Sequence, residues 1–177
     1  MKKVKVSYAK IDNMGDLLNE LIIEKVLGYK VILSNKLECE TSGIGSSLSK
    51  YFPEKSSFLN NTLQYVEKIY SKIQLPLQVW STGFISYSNT NKEHIIIRKE
   101  NNIACVRGEL SKKRLEKILN TELNIPTGDG GLLASYLIKG PIKKKYSIGI
   151  IPHFKEKNEL RFKELVDHYT NSVLIDL

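Results

Sequence analysis

Cysteine is scarce in this sequence: its 177 residues include only two, Cys39 and Cys105. Two cysteines cannot build a disulfide framework, and without a CxxC or Cys/His cluster there is no sign of a zinc site. Long apolar runs are also missing. No stretch approaches the ~20 residues of a membrane span, and the start alternates lysine with valine instead of forming a signal peptide. We therefore expect a cytoplasmic protein that holds no metal.

Acidic residues are outnumbered, with 27 lysines and arginines against 19 aspartates and glutamates and a formal net charge of +8. Much of the excess lies in Arg98-Lys99, Lys112-Lys113-Arg114 and Lys143-Lys144-Lys145. One interpretation is an ordinary solvated surface. The other is attraction of an anion: a phosphorylated metabolite, an acidic membrane surface or a nucleic acid. No nucleic-acid-binding motif accompanies the charge, so we do not expect nucleic acid as a partner.

The beginning of the chain has the pattern of a β-α-β unit. Residues 3–9 alternate in polarity as in a strand, residues 17–27 carry leucine and isoleucine at helical spacing up to Gly28, and residues 29–33 form a second apolar run. Asp16 is the predicted cap of that helix, with catalysis as the alternative role of its carboxylate. Strand, helix and strand in succession predict a parallel sheet and an α/β fold.

The rest of the chain continues the alternation. We predict strands at 77–80, 94–98, 103–106, 146–151 and 172–175, and helices at 60–72, at 156–169 and from an N-cap at Ser111 with Leu110 and Leu115 facing inward. Gly140-Pro141 and the lysines after it have linker composition. These patterns divide the chain into a Rossmann-like lobe at 1–140 and an incomplete β-α-β unit at 141–177 that starts a second lobe. We expect its last strand to be an open edge that a homo-oligomer covers.

Glycine-bearing turns follow several of the predicted strands, near helix N-termini. Unpaired backbone N–H groups and the helix dipole favour anions at such points. None of the turns matches GxGxxG or GxxxxGK[ST], so a dinucleotide or P-loop site is not supported. Glycine also serves ordinary turn geometry, which is the alternative explanation for each turn taken alone.

Six short motifs, most of them around these turns, come in one order along the chain. They are Asp12-Asn13-x-Gly15-Asp16-x-Leu18-Asn19, Gly43-Ile44-Gly45-Ser46, Val79-Trp80-x-Thr82-Gly83-Phe84, Val106-Arg107-Gly108-x-Leu110-Ser111, Gly128-Asp129 and Ile148-Gly149-Ile150-Ile151-Pro152-His153-Phe154. Together they resemble the polysaccharide pyruvyl transferase family. The sequence departs from the family pattern at Met14, at Ser81 and at Gly130-Gly131. It also ends before the family's Ser-x-Arg-x-His-like motif, so we expect the chain alone to be inactive.

The resemblance implies a GT-B-like fold of two Rossmann-like lobes and transfer of pyruvate from phosphoenolpyruvate to a sugar as a ketal. Phosphoenolpyruvate would be the donor substrate, with no cofactor. The acceptor would be a surface-polysaccharide sugar or its lipid-linked oligosaccharide precursor, which would bring the protein to the inner membrane surface as a peripheral protein. A nucleotide-sugar glycosyltransferase and a non-catalytic sugar- or partner-binding lobe are the alternatives.

The resemblance also carries a set of substrate-binding candidates: Asn13, Gly15, Asp16, Asn19, Gly43, Gly45, Ser46, Gly83, Arg107, Gly108, Asp129 and His153. Arg107 would hold the donor anion through paired hydrogen bonds, although a structural ion pair is its alternative role. Asp16 and His153 are the catalytic candidates, since a carboxylate or imidazole can move a proton. Asp129 has a turn-stabilising backbone bond as its alternative. Trp80 is expected to pack in the core.

Overall fold

The computed structural model describes residues 1–10, 13–54, 76–86, 94, 96, 101–153 and 155–176. The predicted helix at 60–72 and most of the predicted strand at 94–98 lie outside these residues. The described elements are β1 (Lys3–Val6), α1 (Met14–Lys25), β2 (Lys30–Leu33), β3 (Thr41–Ser42), a 3₁₀ turn (Leu48–Lys50), β4 (Leu77–Val79), β5 (Asn101–Ile103), α2 (Glu109–Leu119), a 3₁₀ helix (Gly130–Leu137), β6 (Ile148–Ile150), α3 (Leu160–His168) and β7 (Ser172–Leu174).

Strands β1 to β5 form one sheet in the order β2-β1-β3-β4-β5, and every neighbouring pair is parallel. The predicted α/β class with a parallel sheet is confirmed. From β1 the chain moves outward to β2 and then returns to β3 on the other side, where Val6 pairs with both Leu33 and Thr41. The strand order therefore reverses between β1 and β3. Open α/β sheets bind ligands in the crevice beyond the carboxyl ends of the strands at such a point.

The core of this sheet is built from two apolar clusters. In β4, Leu77 and Val79 are buried and Gln78 between them is exposed, as the two-residue period of a strand requires. The larger cluster contains Cys39, Leu48, Tyr51, Phe52, Leu77, Val79, Phe84, Val106 and Leu115. The smaller contains Val6, Tyr8 and Ile23, with Trp80 packed against it. The predicted packing of Trp80 is confirmed.

Helix α1 begins earlier than its apolar pattern indicated. Asn13, not Asp16, is the N-cap, and its Oδ1 accepts a hydrogen bond of 2.9 Å from the amide of Gly15. The capping role predicted for Asp16 is wrong because the helix starts at Met14, which puts Asp16 inside the first turn. The predicted stop near Gly28 fits its positive φ of 75°, a conformation that glycine adopts without strain.

Helix α2 also starts before its predicted cap. The N-cap is Gly108, and Ser111 lies buried in the first turn, where its hydroxyl accepts a hydrogen bond from the amide of Phe84. Leu115 is fully buried, but Leu110 is 63% exposed. Residues five apart on a helix point roughly 140° away from each other, so both could not face the core. The strand predicted at 103–106 is instead β5 at Asn101–Ile103, with Val106 in an isolated bridge to Thr127.

Strands β6 and β7 form a separate parallel pair, with α3 between them in the chain. The predicted β-α-β pattern of this segment is confirmed. Residues 141–147 before β6 are all exposed and, apart from a bend at Ser147, have no regular structure. Within the described elements, β6, α3 and β7 contact one another and none of the elements of the larger sheet. The division into two lobes at residue 140 stays a prediction.

Candidate functional site

A cleft of about 760 Å³ lies at the carboxyl ends of the larger sheet. It is lined by residues that follow β1, β3, β4 and β5: Tyr8, Ala9, Asn13, Gly15, Asp16, Leu18, Ile44, Gly45, Ser46, Ser47, Lys50, Ile85, Arg107, Asp129, Gly131 and Leu132. Seven of the sequence-derived candidates are in this set: Asn13, Gly15, Asp16, Gly45, Ser46, Arg107 and Asp129. Parallel strands explain this convergence, because all their carboxyl ends meet at one edge of the sheet.

The turn after β1 brings the first carboxylate to the cleft. Asp16 is partly buried, and burial raises the pKa of its carboxyl above the ordinary value. The positive charge of Lys50 and a hydrogen bond with the backbone of Ala9 act in the opposite direction but do not outweigh burial. A carboxyl with a raised pKa is suited to accepting or donating a proton nearer neutral pH than an exposed aspartate. Asp12 lies outside the described residues.

The turn after β3 is held in place by a buried amide. Asn19 is fully buried; its Oδ1 accepts from the amide of Ile44 at 2.8 Å, and its Nδ2 donates to the carbonyl of Ile44 at 3.0 Å. The same Nδ2 lies 2.9 Å from the carbonyl oxygen of Asp16. Asn19 therefore ties the turn after β3 to the first turn of α1 and does not itself line the cleft. Gly43 in the same turn is also behind the cleft, since a Cβ there would lie 2.6 Å from the ring of Trp80.

Hydrogen bonds join the turn after β3 to the turn after β4. The amide of Ser47 donates to Thr82 Oγ1 at 3.0 Å, and the amide of Gly83 donates to the carbonyl of Gly45 at 3.0 Å. Ser47 and Thr82 are buried, so these bonds are protected from water. Gly45 has a φ of 109°, a conformation that other residues rarely adopt. The glycine at this point is required by the path of the backbone.

Arg107 extends from the end of the β5 segment over these two turns. One terminal nitrogen donates to Ser46 Oγ at 2.7 Å and to the carbonyl of Gly45 at 3.4 Å, and the other donates to the carbonyl of Phe84 at 2.8 Å. No carboxylate of the described residues forms an ion pair with it. Gly83 makes room for this side chain, because a Cβ at Gly83 would lie 2.9 Å from Arg107 Nε. The guanidinium is thus oriented by neutral oxygens.

Asp129 also lines the cleft. Its Oδ1 accepts from the amide of Gly131 at 2.8 Å, which caps the 3₁₀ helix. The turn-stabilising bond anticipated for this residue is therefore present. Because Asp129 is exposed, its second oxygen can also reach a ligand. Gly108 lies apart, in a neighbouring depression of about 440 Å³ that shares Arg107 with the cleft.

His153 is not among the residues that line the cleft. It follows β6, is exposed, and its Nδ1 accepts a hydrogen bond of 3.3 Å from the amide of Lys155. The structure thus brings Arg107 and Asp16 to one cavity, whereas His153, the other catalytic candidate, lies beyond the end of β6.

Several cleft residues carried no motif in the sequence. Tyr8 lies two residues after the end of β1. Its hydroxyl donates to Glu20 at 2.7 Å, and burial together with this bond raises the pKa of Tyr8 to about 12. Lys50 adds a second positive charge to the cleft, and Ile85 and Leu132 add apolar surface. Tyr8 had no signal in the sequence, because the alternating pattern placed it inside a strand at 3–9, whereas β1 ends at Val6 and leaves Tyr8 near the ligand crevice.

Among the described residues, no group of His, Cys, Asp or Glu side chains is arranged to hold a metal ion. None of the helices in the described part of the chain has the length and apolar character to span a membrane. Comparison with protein-family models, with curated proteins and with solved structures finds no match to this chain.

Proposed function

We propose that the cleft binds phosphoenolpyruvate and that the chain is the donor-binding lobe of a pyruvyl transferase with a GT-B-like arrangement. The observation that carries this proposal is the state of Arg107. Its guanidinium lines the cleft, is fixed by three neutral oxygens, and has no carboxylate partner among the described residues. An oriented cation of this kind favours an anion that can accept paired hydrogen bonds, such as a phosphate or carboxylate.

The other charges of the cleft favour two ligands of different chemistry. Lys50 adds to the positive charge near Asp16, while Asp16 and Asp129 carry acceptor oxygens and Asn13 borders the same cavity. Carboxylate and amide oxygens commonly accept hydrogen bonds from hydroxyl groups. An anionic donor beside Arg107 and a polyhydroxylated acceptor beside Asp16 would each meet complementary groups.

The proposed reaction joins one three-carbon unit to two hydroxyls of the sugar. The methylene carbon of phosphoenolpyruvate gains a proton, a sugar hydroxyl bonds to the adjacent carbon, and a second hydroxyl displaces the phosphate from that carbon. Of the two hydroxyl protons, one balances the new methyl group and one leaves with the phosphate. Arg107 would stabilise the departing phosphate. Asp16 would transfer a proton, because its raised pKa keeps a fraction of the carboxyl protonated closer to neutral pH.

Binding of phosphoenolpyruvate to Arg107→Ala, followed by calorimetry and by the fluorescence of the single tryptophan, tests the proposal. Trp80 is a suitable reporter because its ring lies against Gly43 and Gly130, next to cleft turns. Hydrogen bonds to charged groups contribute ~1.5–3 kcal/mol, so we expect the dissociation constant to rise roughly 10- to 100-fold. Arg107→Lys keeps the positive charge but lacks the planar guanidinium. Its dissociation constant should lie between those of the wild type and Arg107→Ala.

Arg161→Ala is the matched control. Arg161 is exposed, pairs with Glu156 and Glu159, and lies on α3 away from the cleft. We expect Arg161→Ala to bind phosphoenolpyruvate with wild-type affinity. Circular dichroism should show that Arg107→Lys has an unchanged fold. Wild-type affinity in Arg107→Ala would contradict the proposal. Binding of a uridine diphosphate without binding of phosphoenolpyruvate would favour a nucleotide-sugar transferase instead.

A further inference from the structure

The segment between the two sheets exposes apolar side chains to an unusual degree. Tyr136 is 72% exposed, Ile138 is 56% exposed and Ile142 is 72% exposed. Isolated exposed apolar residues are common on protein surfaces, but three within seven positions form a local apolar stretch. The stretch follows Leu132, which is 76% exposed and lines the rim of the cleft.

The same segment is strongly basic. Lys139, Lys143, Lys144 and Lys145 are exposed, and the sequence has no acidic residue between Asp129 and Glu156. Within the described part of the chain, none of these four lysines forms an ion pair with a carboxylate. The positive charge of the segment is therefore not neutralised locally.

We propose that residues 136–146 form a docking segment for an anionic phospholipid surface. The argument combines the two properties: lysines are attracted to the negative headgroups, and isoleucine and tyrosine side chains enter the boundary between headgroups and acyl chains. A linker exposed only to water would have no need of Ile138 or Ile142. A nucleic acid would bind the lysines through its phosphates and would not need the aliphatic side chains. The inference is independent of the ligand proposed for the cleft. It would place the cleft rim at Leu132 next to the membrane.

Sedimentation of the full 177-residue chain with lipid vesicles tests the docking segment. We expect the chain to sediment with vesicles of phosphatidylcholine and phosphatidylglycerol and to stay in solution with phosphatidylcholine alone. The charge-reversing variant Lys143→Glu/Lys144→Glu/Lys145→Glu should reduce the partition coefficient at least tenfold, since each lysine near an anionic surface contributes ~1 kcal/mol. The variant Lys2→Glu/Lys10→Glu/Lys113→Glu makes the same change of net charge at exposed sites elsewhere and should reduce it much less.

The variant Ile138→Ser/Ile142→Ser separates lipid binding from simple charge attraction. It leaves every charge in place and removes only exposed side chains, so folding should be unaffected. We expect a several-fold weaker partition into the anionic vesicles. The proposal is overturned if this variant binds like the wild type, if both charge-reversing variants lose binding equally, or if the chain binds duplex DNA but not vesicles.

Discussion

Replacement of Asn19 with alanine should lower the stability of the protein by releasing the turn after β3, which lines the cleft. The side chain makes three hydrogen bonds, of 2.8, 3.0 and 2.9 Å, to the backbone of Ile44 and Asp16. Each is worth ~1 kcal/mol net, so Asn19→Ala should lower the free energy of unfolding by about 3 kcal/mol. The amide and carbonyl of Ile44 are left without partners in a buried position, which makes that figure a minimum. For a chain of this size the melting temperature should fall by roughly 6–12 °C.

Chemical denaturation followed by circular dichroism measures this loss directly. Asn158→Ala is the control, because Asn158 is exposed and should leave the stability unchanged within ~0.5 kcal/mol. Asn19→Ala should also weaken phosphoenolpyruvate binding while the variant is still folded, since the turn it releases contains Ser46, which orients Arg107. A stability loss below ~1 kcal/mol would show that the three bonds do not clamp the turn, and would refute this reasoning.

Two further substitutions test the electrostatics of the cleft at Asp16 and the packing behind it at Gly43. Burial raises the pKa of Asp16, so ionisation of this carboxyl destabilises the folded state. The contribution of Asp16 to stability is therefore greatest in acid and is lost as the pH rises through the raised pKa. Asp16→Asn should therefore raise the melting temperature at pH 7, with the gain disappearing in acid, and an equal gain at both pH values would contradict the assignment. Gly43→Ala should destabilise the protein by ~1–3 kcal/mol, because its Cβ would lie 2.6 Å from Trp80. Gly128→Ala, whose Cβ would meet nothing within 4 Å, should be tolerated in the same denaturation assay.

Most of the alternation of strands and helices, and the meeting of several turns at one sheet edge, were predictable from the sequence. The two-residue strand β3 and the 3₁₀ helix at Gly130–Leu137 were not predicted. Period-two alternation at 3–9 and helical spacing at 17–27 reflect burial of one face, which is a property of the local sequence. The convergence of Asp16, Ser46 and Arg107 on one cleft follows from parallel pairing alone. Once the strands are parallel, the turns at their carboxyl ends have to meet.

Which polar residues near the cleft are buried, and which line it, was not predictable. Asn13 and Asn19 looked equivalent in the sequence, but Asn13 caps α1 whereas Asn19 is fully buried against the next turn. Which amide is buried depends on a contact 25 residues away, at Ile44, and no local pattern encodes it. The errors at Ser111 and Leu110 have a simpler cause. The N-cap of the helix is three residues before the predicted cap, so Leu110 lies inside the helix and points away from the buried Leu115.

The turn after β4 explains how one edge of a sheet can hold a charged side chain in a fixed place. Ser81, Thr82 and Gly83 are all buried, and Ser81 has a φ of 66°, a conformation that favours glycine. This turn receives hydrogen bonds from three directions: the amide of Ser47 bonds Thr82 Oγ1, the amide of Arg107 bonds the Thr82 carbonyl, and the amide of Gly130 bonds Ser81 Oγ. A buried polar network with these bonds made specifies one arrangement of the turns around it. Arg107 therefore reaches the cleft from a preorganised support, and it needs no carboxylate to hold it there.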